Sequence, residues 1–245
     1  MSSLQKQIAA RLVRLSDACF TSKTQYAKIL RGLGRNKHEF ISTLPVFSNI
    51  GEPEEMPPLL KDRRRRLVVF GGGGSRRRVY EKSISSLARV CQALVIEEIL
   101  DIGPPADSSA VALVNGVPVV QTGTLPSAEV SAILSDSIAG YIDYDRAFLA
   151  KSTIFAAYCA HRLIVVSAPC ENSSVDQDGL EAGKHYWIAD MLTNGCDLTK
   201  AQGVADNAYA WYAAHDLSVH ARTYIAHLSA LVGTAVLLQN QVPNC

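Results

Sequence analysis

Between residues 67 and 167 the sequence alternates short, β-rich apolar runs with amphipathic helical stretches, and that alternation leaves few folds open to it. The strand-like runs are Leu67–Phe70, Leu94–Ile99, Val117–Val120, Ala139–Asp143 and Leu163–Ser167. Between them, apolar residues recur at the spacing of one helix face: Ile84, Leu87, Ala88 and Cys91; then Val130, Ile133 and Leu134 after a capping Ser127; then Ile154, Phe155, Tyr158 and Cys159. Strands separated by crossover helices pair in parallel. The expected fold class is therefore α/β, a Rossmann-like parallel sheet flanked by helices. In such a sheet a ligand binds beyond the carboxyl ends of the strands, where strands hand over to helices.

The flanking segments read differently. Leu4, Ile8, Leu12 and Leu15 share one face of an opening helix. A short strand, Ala18–Thr21, precedes a helix that Ser22 can cap, that carries Tyr26, Ile29, Leu30 and Leu33, and that Gly34 closes. Phe40–Phe47 is strand-like, and residues 51–62 hold three prolines, which suits a connection. Thr199–Leu238 reads as helix, with Val204, Ala208, Trp211 and Tyr212 on one stripe. The implied organisation is the end of a first Rossmann-like domain over 1–50, a linker over 51–66, a main domain over 67–228 and a C-terminal tail over 229–245.

Hydrophobic residues make up 48% of the chain, enough for a substantial core, and a net charge of +1 gives no general attraction to nucleic acid. The basic residues are unevenly placed: seven of the 24 fall in Arg63–Arg66 and Arg76–Arg78. Such runs mark either a local anionic partner or a solvated face. The six cysteines form no Cys-x-x-Cys pair and read as reduced thiols in a cytoplasmic protein. No apolar run reaches bilayer length, which leaves peripheral membrane contact or a partner chain open.

Two strand-to-helix corners carry the chemistry. In the first, a buried strand runs into Gly71-Gly72-Gly73-Gly74-Ser75 and then Arg76, Arg77, Arg78 and Lys82. Glycines let backbone N–H groups approach a ligand, a helix start favours anions, and arginine presents forked donors suited to phosphate. The corner fails both common phosphate fingerprints. A Gly-x-Gly-x-x-Gly counted from Gly71 ends on Arg76, which argues against a nucleotide-dependent oxidoreductase, and the Gly-Lys-Ser/Thr of a P-loop is missing. In the second corner, Lys151, Ser152 and Thr153 stand at a helix start, offering a charge, hydroxyls and free N–H groups. A third corner, Asp101 to Gly103, could contact a nucleoside. The histidines show no metal-binding spacing, and no metal or catalytic residue is assigned.

In order and spacing these parts resemble the B-type glycosyltransferases, whose two Rossmann-like domains face each other across a cleft. Residues 16–50 are similar to the end of the first domain, and Leu67–Lys82 to the strand and glycine loop that open the second, nucleotide-sugar-binding one. There an Arg and a Lys commonly contact the diphosphate, which the resemblance matches to Arg76–Arg78 and Lys82. Ile99–Pro105 resembles the next nucleotide-side loop, with Asp101 and Gly103. Two departures stand out: paired glutamates used by many members appear here as Phe148 and Ala156, and Lys151-Ser152-Thr153 replaces a Gly-x-Pro step. The resemblance implies a metal-independent, retaining glycosyltransferase or a half of one. Its donor would be a nucleotide-sugar bound as substrate, its acceptor is unknown, and it needs no cofactor. The alternative is a non-catalytic glycosyltransferase-like partner subunit or nucleotide-binding protein.

Overall fold

The computed structural model describes residues 2–34, 41–105, 111–169, 178–192 and 195–239, with side chains to residue 230. Phe40, which opens the strand-like run read above, lies outside the described residues, as do His38, Cys170 and Cys245 among the histidines and cysteines. The chain divides into two compact units, one of Met1–Pro45 and His215–Cys245, the other of Val46–Ala214. These divisions differ from those expected at residues 50 and 228.

The first unit holds α1 (Ser3–Leu15), β1 (Cys19–Thr21), α2 (Thr24–Leu33), β2 (Ile41–Thr43) and α8 (Leu217–Gln239). β1 and β2 pair in parallel, Cys19 opposite Ile41. The Phe20 ring meets Tyr224 and His227 edge-on, and the His220 imidazole bonds the Pro45 carbonyl, which ties α8 to this unit. Ser22 does not cap α2; Lys23 takes the N-cap position and makes no side-chain cap bond.

The second unit is a seven-stranded sheet in the order β5-β6-β4-β3-β7-β8-β9. Its strands are β3 (Arg64–Phe70), β4 (Glu98–Ile102), β5 (Leu113–Val114), β6 (Val117–Gly123), β7 (Ser137–Ile142), β8 (Ile164–Ser167) and β9 (Trp187–Ile188). Every pairing is parallel except β5 with β6. The helices are α3 (Gly73–Lys82), α4 (Ile84–Leu94), α5 (Ser127–Ser135), α6 (Thr153–Ala160) and α7 (Leu198–Ala213). Two apolar clusters cover the sheet. One gathers Leu87, Val90 and Cys91 of α4 and Ala201, Val204 and Ala205 of α7, the other Val130 and Leu134 of α5 with the whole of α6 from Phe155 to Ala160. Strands buried on both faces need continuous apolar runs, which is why Leu67–Val69 and Ile164–Val166 are nearly fully buried.

Three sequence expectations shift. β4 begins at Glu98, because Leu94 ends α4 and Val95 closes it in a left-handed conformation at φ 52°. Pro126, not Ser127, is the N-cap of α5. The expected linker is packed: Leu60 is buried, its N–H donates to Gln202, and β3 already starts at Arg64. The Arg63–Arg66 run is neither a uniform solvated face nor an anion site. Arg63 donates to the carbonyls of Pro58, Ser137 and His161, burial lowers its pKa to about 10, and Arg66 pairs with Glu98. Arg64 is exposed and pairs with Asp136, while the half-buried Arg65 donates to the Leu94 carbonyl.

Candidate functional site

The chain visits β3, then β4 and β6 on one side, and only afterwards β7 and β8 on the other. Strand order reverses between β3 and β7, and the crevice beyond those two carboxyl ends is where an open α/β sheet receives a ligand. A small recess opens there, lined by Phe70, Ser75, Arg76, Asp143, Tyr144 and Ile154 among others.

Two helices start at this point. Gly72 is the N-cap of α3, with no side-chain cap, so the Gly73 and Gly74 N–H groups lie in a first turn that offers them no intrahelical acceptor. A Cβ at Gly72 or Gly74 would meet nothing within 4 Å, so the backbone here is open to approach. α6 starts at Thr153, which is exposed; the Ser152 hydroxyl is the N-cap and accepts from the Phe155 N–H at 3.2 Å. Lys151 stands just before it, exposed, with its ammonium 5.5 Å from the centre of the Phe148 ring. The two corners touch. A Cβ built on Gly71, whose φ is 129°, would fall 2.4 Å from Ile154 Cδ1. Gly71 is therefore the glycine this packing requires, while Gly72 and Gly74 form the open rim.

Tyr158 fixes the position of α6. Its hydroxyl donates to the Val68 carbonyl and accepts from the Phe70 N–H, both at 3.0 Å, and its ring lies where a Cβ on Gly140 would come within 2.6 Å. Burial raises the Tyr158 pKa, which keeps it a neutral bridge between α6 and the end of β3.

The cationic residues do not act as a group. Arg76 is buried, its side chain 4% exposed, and its guanidinium donates to Asp101 at 2.6 Å, to the Gly71 carbonyl at 2.9 Å and to the Pro104 carbonyl. It braces the glycine corner from within. Asp101, 3% exposed, is the other half of that pair and does not face outward. Gly103 sits in the same clamp, since its Cβ would fall 2.2 Å from the Gly71 carbonyl oxygen. Arg77 is exposed on α3 and pairs with Glu81 one turn on. Lys82 ends α3, nine residues beyond Gly73, which at 1.5 Å per residue is about 13 Å from the glycine rim. Arg78 reaches the Asp143 carbonyl, and Ser83 donates to the Asp143 carboxylate at 2.5 Å. These two contacts, which the sequence does not announce, hold the end of β7 against the start of α4. Ala156, where the resemblance leads one to look for a carboxylate, is buried inside α6.

Among the described residues no cluster of three His, Cys, Asp or Glu side chains could hold a metal ion, and no helix is long and apolar enough to cross a membrane.

A mostly parallel sheet whose strand order reverses between two helix starts is a doubly wound, Rossmann-like architecture. Solved structures narrow this to the GT-B glycosyltransferase fold. The chain is similar to the sucrose-phosphate synthase from Thermosynechococcus elongatus, with a TM-score of 0.61 and 13% identity over 96% of this chain and 63% of that one. It is also similar to WaaG, a glycosyltransferase involved in lipopolysaccharide biosynthesis, with a TM-score of 0.55 and 13% identity over 81% of this chain and 59% of that one. A third likeness is to an α-glucosyltransferase in complex with UDP, with a TM-score of 0.50 and 10% identity over 89% of this chain and 68% of that one. The chain thus spans less than two thirds of the first two. No family model matches the sequence, and no curated protein matches it either.

Proposed function

We propose that the second unit binds a nucleoside-diphosphate sugar, with the diphosphate over the N-termini of α3 and α6, and that the protein serves sugar transfer from that donor. The observation that carries this reading is the meeting of two helix starts at the β3–β7 reversal, in contact through Gly71 and Ile154. Each helix N-terminus offers unsatisfied N–H groups and a partial positive charge, and together they suit two adjacent phosphates. Backbone of Gly72, Gly73 and Gly74 supplies donors from one side; Thr153 and Lys151 supply a hydroxyl and a charge from the other. Such groups would stabilise the charge that develops on a departing diphosphate. Arg76, Asp101 and Gly103 hold the corner in shape, while Arg77 and Lys82 have no part in it. The UDP complex of one structural neighbour supports a uridine nucleotide as the first ligand to try.

Calorimetric titration of the folded chain with UDP, GDP and ADP tests the reading. Saturable binding of one of them is expected, and no binding of any overturns the donor site. A second reading, a non-catalytic glycosyltransferase-like subunit, is favoured by Phe148 and Ala156 standing where carboxylates would act. Turnover of a labelled nucleotide-sugar panel separates the two, because the subunit would bind nucleotide and release no sugar.

A further inference from the structure

The opening helix is packed the unexpected way round. α1 is well formed: Ser2 and Gln5 make a reciprocal capping box, and the Ser16 hydroxyl donates to the Leu12 carbonyl at the other end. Yet Val13 is its one buried residue, with Ala9 and Ala10 half-buried beside it, so the helix meets its own unit through small side chains. The large apolar stripe faces away. Leu4 is 65% exposed, Ile8 51%, Leu12 60% and Leu15 74%. A stripe of four long aliphatic side chains on one helix face normally lies against something.

Charge indicates what covers it. α1 carries Lys6, Arg11 and Arg14 and no acidic residue. Its whole unit, residues 1–45 and 215–245, holds nine Lys and Arg against three Asp and Glu, a net +6. The chain total of +1 leaves −5 for residues 46–214. The chain is therefore electrically lopsided, and the basic unit is the one with the exposed stripe. Arg11 decides between protein and lipid. It lies three residues after Ile8 and four before Leu15, on the stripe itself, and is exposed. Covered by a protein face, its guanidinium would need a buried partner; at a lipid surface its stem lies along the acyl boundary while the charge reaches the phosphates.

We propose that α1 is a membrane-surface anchor, lying in the headgroup region of an anionic bilayer with Leu4, Ile8, Leu12 and Leu15 inserted and Arg11 and Arg14 on lipid phosphates. A helix of this kind lies in the interface plane without crossing it, and each basic residue near an anionic surface strengthens binding roughly fivefold. The net +6 of the unit that carries α1 adds to the attraction toward an anionic surface.

The full chain is to be co-sedimented with vesicles of phosphatidylcholine alone and of phosphatidylcholine with phosphatidylglycerol, at low and high salt. Binding to the anionic vesicles, weakened by salt, is expected. The double change Ile8→Gln with Leu12→Gln keeps the charge and the helix propensity and should weaken binding at least about tenfold. Arg11→Gln with Arg14→Gln should weaken it roughly twenty-fold on anionic vesicles. Nucleotide titration of the same variants reports on the other unit and should not change, so failure here is distinct from failure of the donor site. No vesicle binding by the parent chain overturns the proposal, as does equal binding by the Ile8/Leu12 variant. It is also overturned if the chain self-associates and that variant turns it monomeric, which would make the stripe a protein interface.

Discussion

Replacing Arg76 by Met tests whether the glycine corner is held from beneath. The change keeps the aliphatic stem and removes a guanidinium that bonds Asp101 at 2.6 Å, the Gly71 carbonyl at 2.9 Å and the Pro104 carbonyl. Asp101 is then left as a carboxylate whose side chain is 3% exposed, with its charge partner gone. Breaking a buried ion pair from one side costs about 3–5 kcal/mol, most of it the stranded charge. Out of a typical stability of about 5–15 kcal/mol that is a large loss. Both tryptophans, Trp187 and Trp211, lie in the second unit, so urea unfolding followed by their fluorescence reads the unit in question. The expected result is a fall of about 3–5 kcal/mol for Arg76→Met and a comparable fall for Asp101→Leu, which strands the arginine instead. The double variant should recover most of the loss, with a coupling above about 2 kcal/mol, since replacing both members of a buried pair with apolar groups is often neutral. A loss below about 1 kcal/mol for Arg76→Met, or simple additivity in the double variant, would refute the clamp and return Arg76 to the list of phosphate ligands.

Three further outcomes follow from named contacts. Gly71→Ala forces a Cβ into Ile154 at a φ that side chains rarely adopt, and should cost about 1–3 kcal/mol in urea unfolding and weaken nucleotide binding in calorimetry. Lys82→Ala should leave nucleotide affinity unchanged within about twofold, whereas Lys151→Ala should weaken it about tenfold, the order expected of a charge-assisted phosphate contact. His161 gives a pH signature. Its imidazole is fully buried, Nδ1–H donates to the Ala157 carbonyl, and Nε2 accepts from the Ser131 hydroxyl, so the neutral form is the one that fits. Burial first, and then Arg63, push its pKa down to about 4. The unfolded chain, near the ordinary 6.5, takes up a proton that the folded chain refuses. The neutral ring's contribution is thus full above pH 6.5 and is lost as pH falls through about 4, a difference of about 3 kcal/mol. Stability measured from pH 7 to pH 4 should fall accordingly, and His161→Gln should flatten that part of the curve.

How much of this could be read from the sequence varies with the range of the interaction. The sheet was legible because strands buried on both faces leave runs such as Leu67–Val69 and Ile164–Val166, and because crossover helices show a different period. The start of β4 was not, since Leu94–Ile96 is as apolar as a strand, and only the left-handed turn at Val95 assigns Leu94 to a helix. The two strand-to-helix corners can be read from the sequence, but not which of their residues brace them from within. Four consecutive glycines carry no local sign that Gly71 is the tight one, because its neighbour Ile154 is distant in sequence. Likewise a run of three arginines looks alike at each position, while the helix turns Arg76 inward to Asp101, Arg77 outward to Glu81 and Arg78 toward Asp143. A helical period predicts three directions; it does not say which one leads to the core.

The first unit is assembled from both ends of the chain, with Val46–Ala214 set between its pieces. During synthesis the first 45 residues are complete long before His215 exists. At a synthesis rate of about 5–20 residues per second, the intervening stretch takes on the order of ten to thirty seconds. For that interval β1 and β2 lack the helix whose Tyr224 and His227 rings close on Phe20. The second unit, continuous in sequence, can complete itself while the first waits. The residues around Phe20 thus depend on a helix made about 170 residues later, whereas the sheet of the second unit does not.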